Sequence, residues 1–219
     1  MPVPVTKPTP RARPLLSRER ILDAALARVD REGLEALTMR ALGADLGVEA
    51  MALYHHFPGK EALLDGLLET LVAQVEVPTE GPWEARLITA AWSYRDLALA
   101  HPEAFPLVLT RPYLSEGVLA YCDRLLKIFL DAGFPPQEAA RAFRLVGHFL
   151  DGATLYTSQG PARPGGPPPA PVDEARFPHL AACRSHLART QAKAHFAYGL
   201  ERLAAELRRQ LKALPRAGK

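Results

Sequence analysis

The chain reads as an all-α protein in two parts, a small unit of short helices followed by a larger helical domain. Three observations predict this. Apolar residues recur at spacings of three and four through nearly every strong segment, and no stretch alternates with the two-residue period of a strand. Glycines and prolines punctuate those segments at short intervals early in the chain and at long intervals later. The run "VPTEGP" at 77–82 breaks the pattern once, so the parts are expected at 17–76 and 80–214.

Residues 1–16, "MPVPVTKPTPRARPLL", carry prolines that forbid a helix, and their Lys7, Arg11 and Arg13 face no acid. They are read as a disordered basic arm, either an idle terminus or a strap along a polyanion. Ser17 then suits the N-cap of a first helix. Its Leu22, Ala25, Leu26 and Val29 make a buried stripe, and Gly33 stops it. Thr38 suits a second N-cap, with Leu37 and Leu42 placed as a hydrophobic staple. That helix ends at Gly47. A third is expected from Val48 to Phe57, closed by Pro58-Gly59. A fourth opens at Lys60 with Leu64, Leu67, Leu68, Leu71 and Val75 on one face.

Beyond the break every strong segment is helical. Trp83 to Ala100 is closed by His101-Pro102, and a short piece at 103–110 precedes Arg111-Pro112. Ser115 to Ala132 is capped by Gly133. The next helix starts at Pro136, a favoured first-turn residue, and reaches about Thr157. Residues 158–173 form a Gly/Pro-rich loop, and a final helical region covers about 174–214.

The helix from 136 has two apolar faces, one with Phe143, Val146 and Leu150, the other with Leu145, Phe149 and Tyr156. Only a narrow polar stripe of Arg141, Arg144, His148 and Asp151 separates them. A helix apolar on most sides must be buried on most sides. The last helix repeats the problem with Leu200, Leu203 and Leu207. A symmetric dimer solves it, the two helices meeting their copies in a four-helix bundle through Phe143, Val146, Leu150, Leu200, Leu203 and Leu207.

The two short helices joined through Gly47-Val48 have the shape of a helix-turn-helix. At 100° per residue, Leu53 and Phe57 point to the core while Met51 and His55 point out, flanked by Ala52 and Tyr54. That outward face has almost no charge to solubilise it, and it suits a helix lowered into the major groove. A metal fits badly there. His55 and His56 are adjacent and diverge, whereas a helical chelate needs i and i+4.

Bulk properties set the remaining bounds. Of 219 residues 48% are hydrophobic, enough for a core, and the formal net charge of +3 leans mildly towards anionic partners. Cys122 and Cys183 form no CxxC and no disulfide framework, so free thiols in a reducing cytoplasm are expected. No run of 18 apolar residues and no secretory signal is visible. There is no Glu-x-x-His pair of the di-iron type, no nucleophile elbow and no Walker-type loop, so neither catalysis nor a cofactor is expected.

The run "ILDAALARVDREGLEALTMRALGADLGVEAMALYHHFPGKEALL" resembles the DNA-binding domain of the TetR family of bacterial transcriptional regulators. It has that family's glycine after the first helix, the Leu-Thr opening the second, the Leu-Gly-Val turn, the Leu-Tyr-x-His-Phe end of the recognition helix and the Lys-Glu-x-Leu opening the fourth. "WEARLITAAWSYRDLALAHPEAFPLVLTRP", "DAGFPPQEAARAFRLVGHFLDG" and "HFAYGLERL" are similar to the C-terminal domain of its tetracycline-repressor branch. The resemblance implies a homodimeric, cytoplasmic regulator that binds a palindromic operator in double-stranded DNA and is released by a small-molecule inducer. It matches Thr38 and Arg40 to positions touching phosphate or a base edge, and Ala50, Met51 and Ala52 to base-reading positions. Tyr54 and His55 match backbone or base contacts, and Lys60 a phosphate contact. The branch's histidine and glutamate ligands for a magnesium-drug complex fall at Leu107 or Val108 and at Tyr156, so neither is present. The inducer pocket is therefore expected to be apolar and aromatic, drawn from Trp92, Phe105, Leu107, Tyr121, Leu125, Phe149 and Tyr156, with no metal.

Overall fold

The computed structural model describes residues 15–111, 115–160, 163–166 and 170–215. Within them the chain folds into ten α-helices, with no strand among the described residues. The first four are α1 (Arg18–Glu32), α2 (Met39–Leu46), α3 (Ala50–Tyr54) and α4 (Lys60–Ala73). Then come α5 (Trp83–Ala100), α6 (Pro106–Thr110), α7 (Glu116–Ala132) and α8 (Pro136–Ser158). The last two are α9 (Pro178–Cys183) and α10 (Ala192–Ala213).

Local chemistry sets most of the boundaries. The Ser17 hydroxyl accepts from the Arg20 amide at 3.2 Å, and Thr38 accepts from the Ala41 amide at 3.1 Å, so each satisfies an orphan donor at a helix start. Gly47 ends α2 at φ 68°, a left-handed cap that a side chain would resist. Two expectations need correction. The third helix is not Val48–Phe57 but Ala50–Tyr54, because Glu49 is an extended cap and the residue before Pro58 is pushed out of the helical region. The final helical region, expected at about 174–214, consists of α9, a 3-10 turn at Arg189–Gln191 and α10. The arm is shorter than 1–16, since Leu16 packs against the core while Leu15 stays exposed. The rest of the arm, and 161–162 and 167–169 of the Gly/Pro-rich loop, lie outside the described residues.

Packing joins the two parts. One cluster starts with Ile21, Ala25 and Val29 of α1, passes through Leu63, Leu67 and Leu71 of α4, and continues to Tyr94, Phe105, Val108 and Tyr121. The helix unit and the larger domain therefore share a core, with α4 as the common wall. A second cluster holds Leu87, Ile128, Phe129, Phe134 and Leu207, and a third holds Ala91, Phe196 and Leu200. Arg86 is only 4% exposed. Its guanidinium donates to the Pro78 carbonyl and to Asp131, both at 2.8 Å, which clamps α5 to α7.

Candidate functional site

Two places concentrate features that packing does not explain: the outer face of α3 and a cavity inside the larger domain.

The third helix has five residues, far too few to persist alone in water. Leu53 and Phe57, both fully buried, fasten it to the core. Gly43 lets α2 cross it closely. A Cβ there would lie 2.9 Å from the Val48 carbonyl oxygen and 3.3 Å from the Ala50 nitrogen, both backbone atoms. Its far end is held by Arg18, whose Nη1 donates to the His56 carbonyl at 2.8 Å while its guanidinium lies 4.1 Å from the centre of the Phe57 ring. A cation at a helix C-terminus meets the negative end of the dipole, and over a ring face it meets the quadrupole.

What this scaffold displays is apolar and unusually exposed. Met51 is 69% exposed and Tyr54 43%. His55 is exposed, with Ala50 and Ala52 half-buried beside them. Thr38, Arg40 and Lys60 are exposed at the starts of α2 and α4. His56 is half-buried. Among the described residues no three His, Cys, Asp or Glu side chains converge as a metal cluster.

The cavity lies between α5, α7 and α8, with Val72 of α4 also on its wall. It encloses about 80 Å³ and is mostly apolar, with Leu87, Ile128, Phe129 and Val146 among its lining. Six groups break that surface. The Tyr94 hydroxyl donates to Asp151 Oδ1 at 2.6 Å. Cys122, Arg144, His148 and Tyr121 also line it. Burial pushes the Cys122 thiol above its ordinary pKa, and the charge of Arg144 partly offsets the rise.

Of the aromatic and aliphatic candidates, Tyr121 and Leu125 line the cavity and the other five do not. Trp92 meets Phe196 edge-on at 4.8 Å, and Phe149 stacks on the same ring at 5.7 Å. Phe105 packs edge-on against Tyr94 at 5.3 Å, and Leu107 is buried in the first core. Tyr156 is half exposed. These aromatics satisfy each other, a pairing that helical spacing does not reveal. Tyr94, Arg144 and Asp151 were not among the expected lining. The polar stripe on α8 was the visible signal for Arg144 and Asp151, because polar residues on a helix otherwise apolar all round need a reason to be there.

The first unit is tied to the cavity domain at two points. Arg111, at the end of α6, donates to Asp65 at 2.5 Å and to Glu61 at 3.0 Å, both on α4. Burial alone would lower its pKa, but these carboxylates hold it above the ordinary value. His101, which caps α5, reaches Asp30 of α1 at 2.8 Å and Gln74 at 3.3 Å.

Known proteins share this plan. Residues 21–67 match the model for bacterial regulatory proteins of the tetR family, and residues 77–211 match that for the tetracyclin repressor-like C-terminal domain. The chain belongs to the TetR family of bacterial transcriptional regulators. It is 32% identical to the class D tetracycline repressor of Escherichia coli over 204 residues, covering 91% of this chain and 92% of that one. It is 30% identical to the repressor DrrR1 of Streptomyces coeruleorubidus over 165 residues, 73% of this chain but 61% of that protein's length. Among solved structures, a possible TetR-family regulator from Streptomyces coelicolor A3(2) superposes with a TM-score of 0.74 at 32% identity, covering 88% of this chain and 98% of its own. ActR of Streptomyces coelicolor, in complex with (S)-DNPA, gives 0.71 at 26% identity, covering 89% and 98%.

At the positions where the resemblance puts the tetracycline branch's metal-drug ligands, Leu107 and Val108 are buried hydrocarbon and Tyr156 is a half-exposed phenol. The expected dimer face also needs correction. Val146, Leu200 and Leu207 are 5%, 2% and 0% exposed within the single subunit, and Phe143 and Leu150 pack beside the second core, so these five point inward. Leu203 is half-buried. The apolar groups left outside are Leu145, Leu155 and Tyr156 on α8 and Tyr198 on α10, each between 40% and 61% exposed.

Proposed function

We propose that the chain is a homodimeric repressor that binds a palindromic operator in double-stranded DNA and leaves it when a small apolar or aromatic ligand fills the cavity. The observation that carries this reading is the double duty of α4. Val72, near its end, is cavity wall, while Leu63 and Leu67, nearer its start, belong to the core that holds Leu53 and Phe57. The twelve steps from Lys60 to Val72 span about 18 Å at about 1.5 Å each. A displacement at the cavity end of so stiff a rod reaches the reading helix.

The size of the void gives the direction of the effect. The cavity, about 80 Å³, is narrow for an aromatic ligand of ordinary size. A ligand that parts α5, α7 and α8 to fit selects the parted state in proportion to its differential affinity. Two reading helices must sit about 35 Å apart to enter successive turns of the groove. Parting the bundle changes that spacing.

Thr38, Arg40 and Lys60 would position the protein on phosphates, and Ala50, Met51, Ala52, Tyr54 and His55 would meet bases. The dimer would close over the exposed faces of α8 and α10. The repressor would act in the bacterial cytoplasm on the nucleoid. No described helix is long and apolar enough to cross a membrane. ActR has been solved with actinorhodin, and a TetR variant from Acinetobacter baumannii with minocycline, which supports a small-molecule ligand here.

The test is to select genomic fragments with the purified protein and measure their mobility shifts. One pseudo-palindrome should be enriched and bound far more tightly than random DNA; uniform binding of all fragments would overturn the reading. Leu145→Glu with Leu155→Glu should yield monomers in ultracentrifugation, and an unaltered dimer would refute that face.

A further inference from the structure

The cavity's polar groups are ordered, and the order describes a ligand. Arg144, Gly147, His148 and Asp151 follow one another along one stripe of α8, and all four line the cavity. Arg144 is exposed at one end and His148 is exposed midway; Asp151 is half-buried at the other end, where Tyr94 donates to it. Gly147 sits between with open space around it, since a Cβ there would meet nothing within 4 Å. The seven steps from Arg144 to Asp151 make about two turns, about 10 Å of backbone rise.

Arg144 lines the cavity as a cation with no carboxylate partner among the described residues; its guanidinium lies 5.9 Å from the centre of the Phe143 ring, and its charge acts on the Cys122 thiol of the facing helix. A ligand acid at the cavity mouth would give it that partner. The other end asks for the opposite. An ionised carboxylate only accepts hydrogen bonds, and Asp151 already takes one from Tyr94, so a ligand group meeting it must donate. A neutral hydroxyl suits that buried end better than an ammonium, whose desolvation costs far more.

We infer that this cavity takes an aromatic acid with a hydroxyl at the end away from its carboxylate: the acid at the wet mouth on Arg144, flat rings between Phe129 and Val146, and the hydroxyl on Asp151. The inference rests on the ligand-released reading above and narrows it to a class. It also gives Gly147 a role, as the gap through which the acid end stays near water.

The test uses 6-hydroxy-2-naphthoate, its methyl ester, and 2-naphthoate, with binding followed by naphthalene fluorescence and release by operator mobility shift. The hydroxy acid should bind about tenfold more tightly than the ester. That preference should fall to about twofold in Arg144→Met and return in Arg144→Lys. Asp151→Leu should erase the preference for the hydroxy acid over 2-naphthoate. Gly147→Trp should block all three ligands; unchanged binding of all three would overturn the placement beside Gly147. Equal binding of acid and ester by the unaltered protein would overturn the acid assignment and leave the ligand-released reading standing. An acid preference that survives in Arg144→Met would overturn the role of Arg144. Binding of none of the three would overturn the cavity as the ligand site.

Discussion

The reading unit and the cavity domain are built from the same kind of helix but packed to opposite ends. In the reading unit α2 and α3 cross so closely that one added carbon at Gly43 would strike backbone 2.9 Å away. In the cavity domain α8 passes Gly147 with open space around it and leaves a void of about 80 Å³. A close-packed unit keeps its geometry when pushed, whereas a hollow one has somewhere to move. DNA reading needs the first property, because the helix must present the same face at each encounter. A response to ligand needs the second. On the proposed reading, the stiff α4, which belongs to both, would turn a change of volume in one into a change of position in the other.

The contrast is broken most directly by making one kind of substitution in both places. Gly43→Val forces α2 from α3, and overpacking of this sort costs about 1–3 kcal/mol. Operator affinity should fall by about two orders of magnitude, with a lowered Tm, measured by mobility shift and thermal melting. Arg18→Ala comes next. It removes a charged hydrogen bond to the His56 carbonyl and a cation from the Phe57 ring, together about 1–2 kcal/mol. Operator binding should weaken about tenfold. The slope of log affinity against log salt should stay unchanged; a loss of about 0.9 from that slope would mean that Arg18 contacts phosphate instead.

Gly147→Ala should do the reverse of Gly43→Val. A glycine inside a helix with no neighbour to strike gains about 0.5–1 kcal/mol on replacement by alanine. The Tm should rise by a few degrees with operator affinity intact. The smallest effect concerns Asp131, whose carboxyl is held below its usual range by hydrogen bonds from Lys127 and Arg86. A depressed folded pKa contributes stability above the unfolded value of about 3.9, and that contribution fades as pH falls through the folded value. Asp131→Asn should therefore lower the Tm slightly at pH 7 and make no difference near pH 2, followed by circular dichroism.

Much of the reading unit was legible before any coordinates, because its signals are local. Ser17 and Thr38 cap the helices they were assigned to, and Gly47 closes the turn. Each of these acts on atoms a few residues away. The exception was the third helix, shortened at both ends by an extended Glu49 and by Pro58. The cavity domain was legible only as helices. Its long segments were placed within a residue or two, as with Trp83–Ala100, yet five of the seven pocket candidates lie elsewhere. Helical spacing gives a ring of apolar positions, and Trp92, Phe149 and Phe196 could each have faced a void as readily as one another.

The sequence by itself determined the all-α class, the order of the helices, the turn that makes the reader, and the family. All of these follow from periodicity, caps and turn residues, whose physics is short in range. Only tertiary packing decided which apolar face of α8 is core and which is left outside. It turned Phe143, Val146 and Leu150 inward, left Leu145 and Tyr156 at the surface, and aligned Arg144 and Asp151 along one void. The hydrophobic effect scales with area and has no direction, so two equally apolar faces are equivalent until the neighbouring helices occupy one of them.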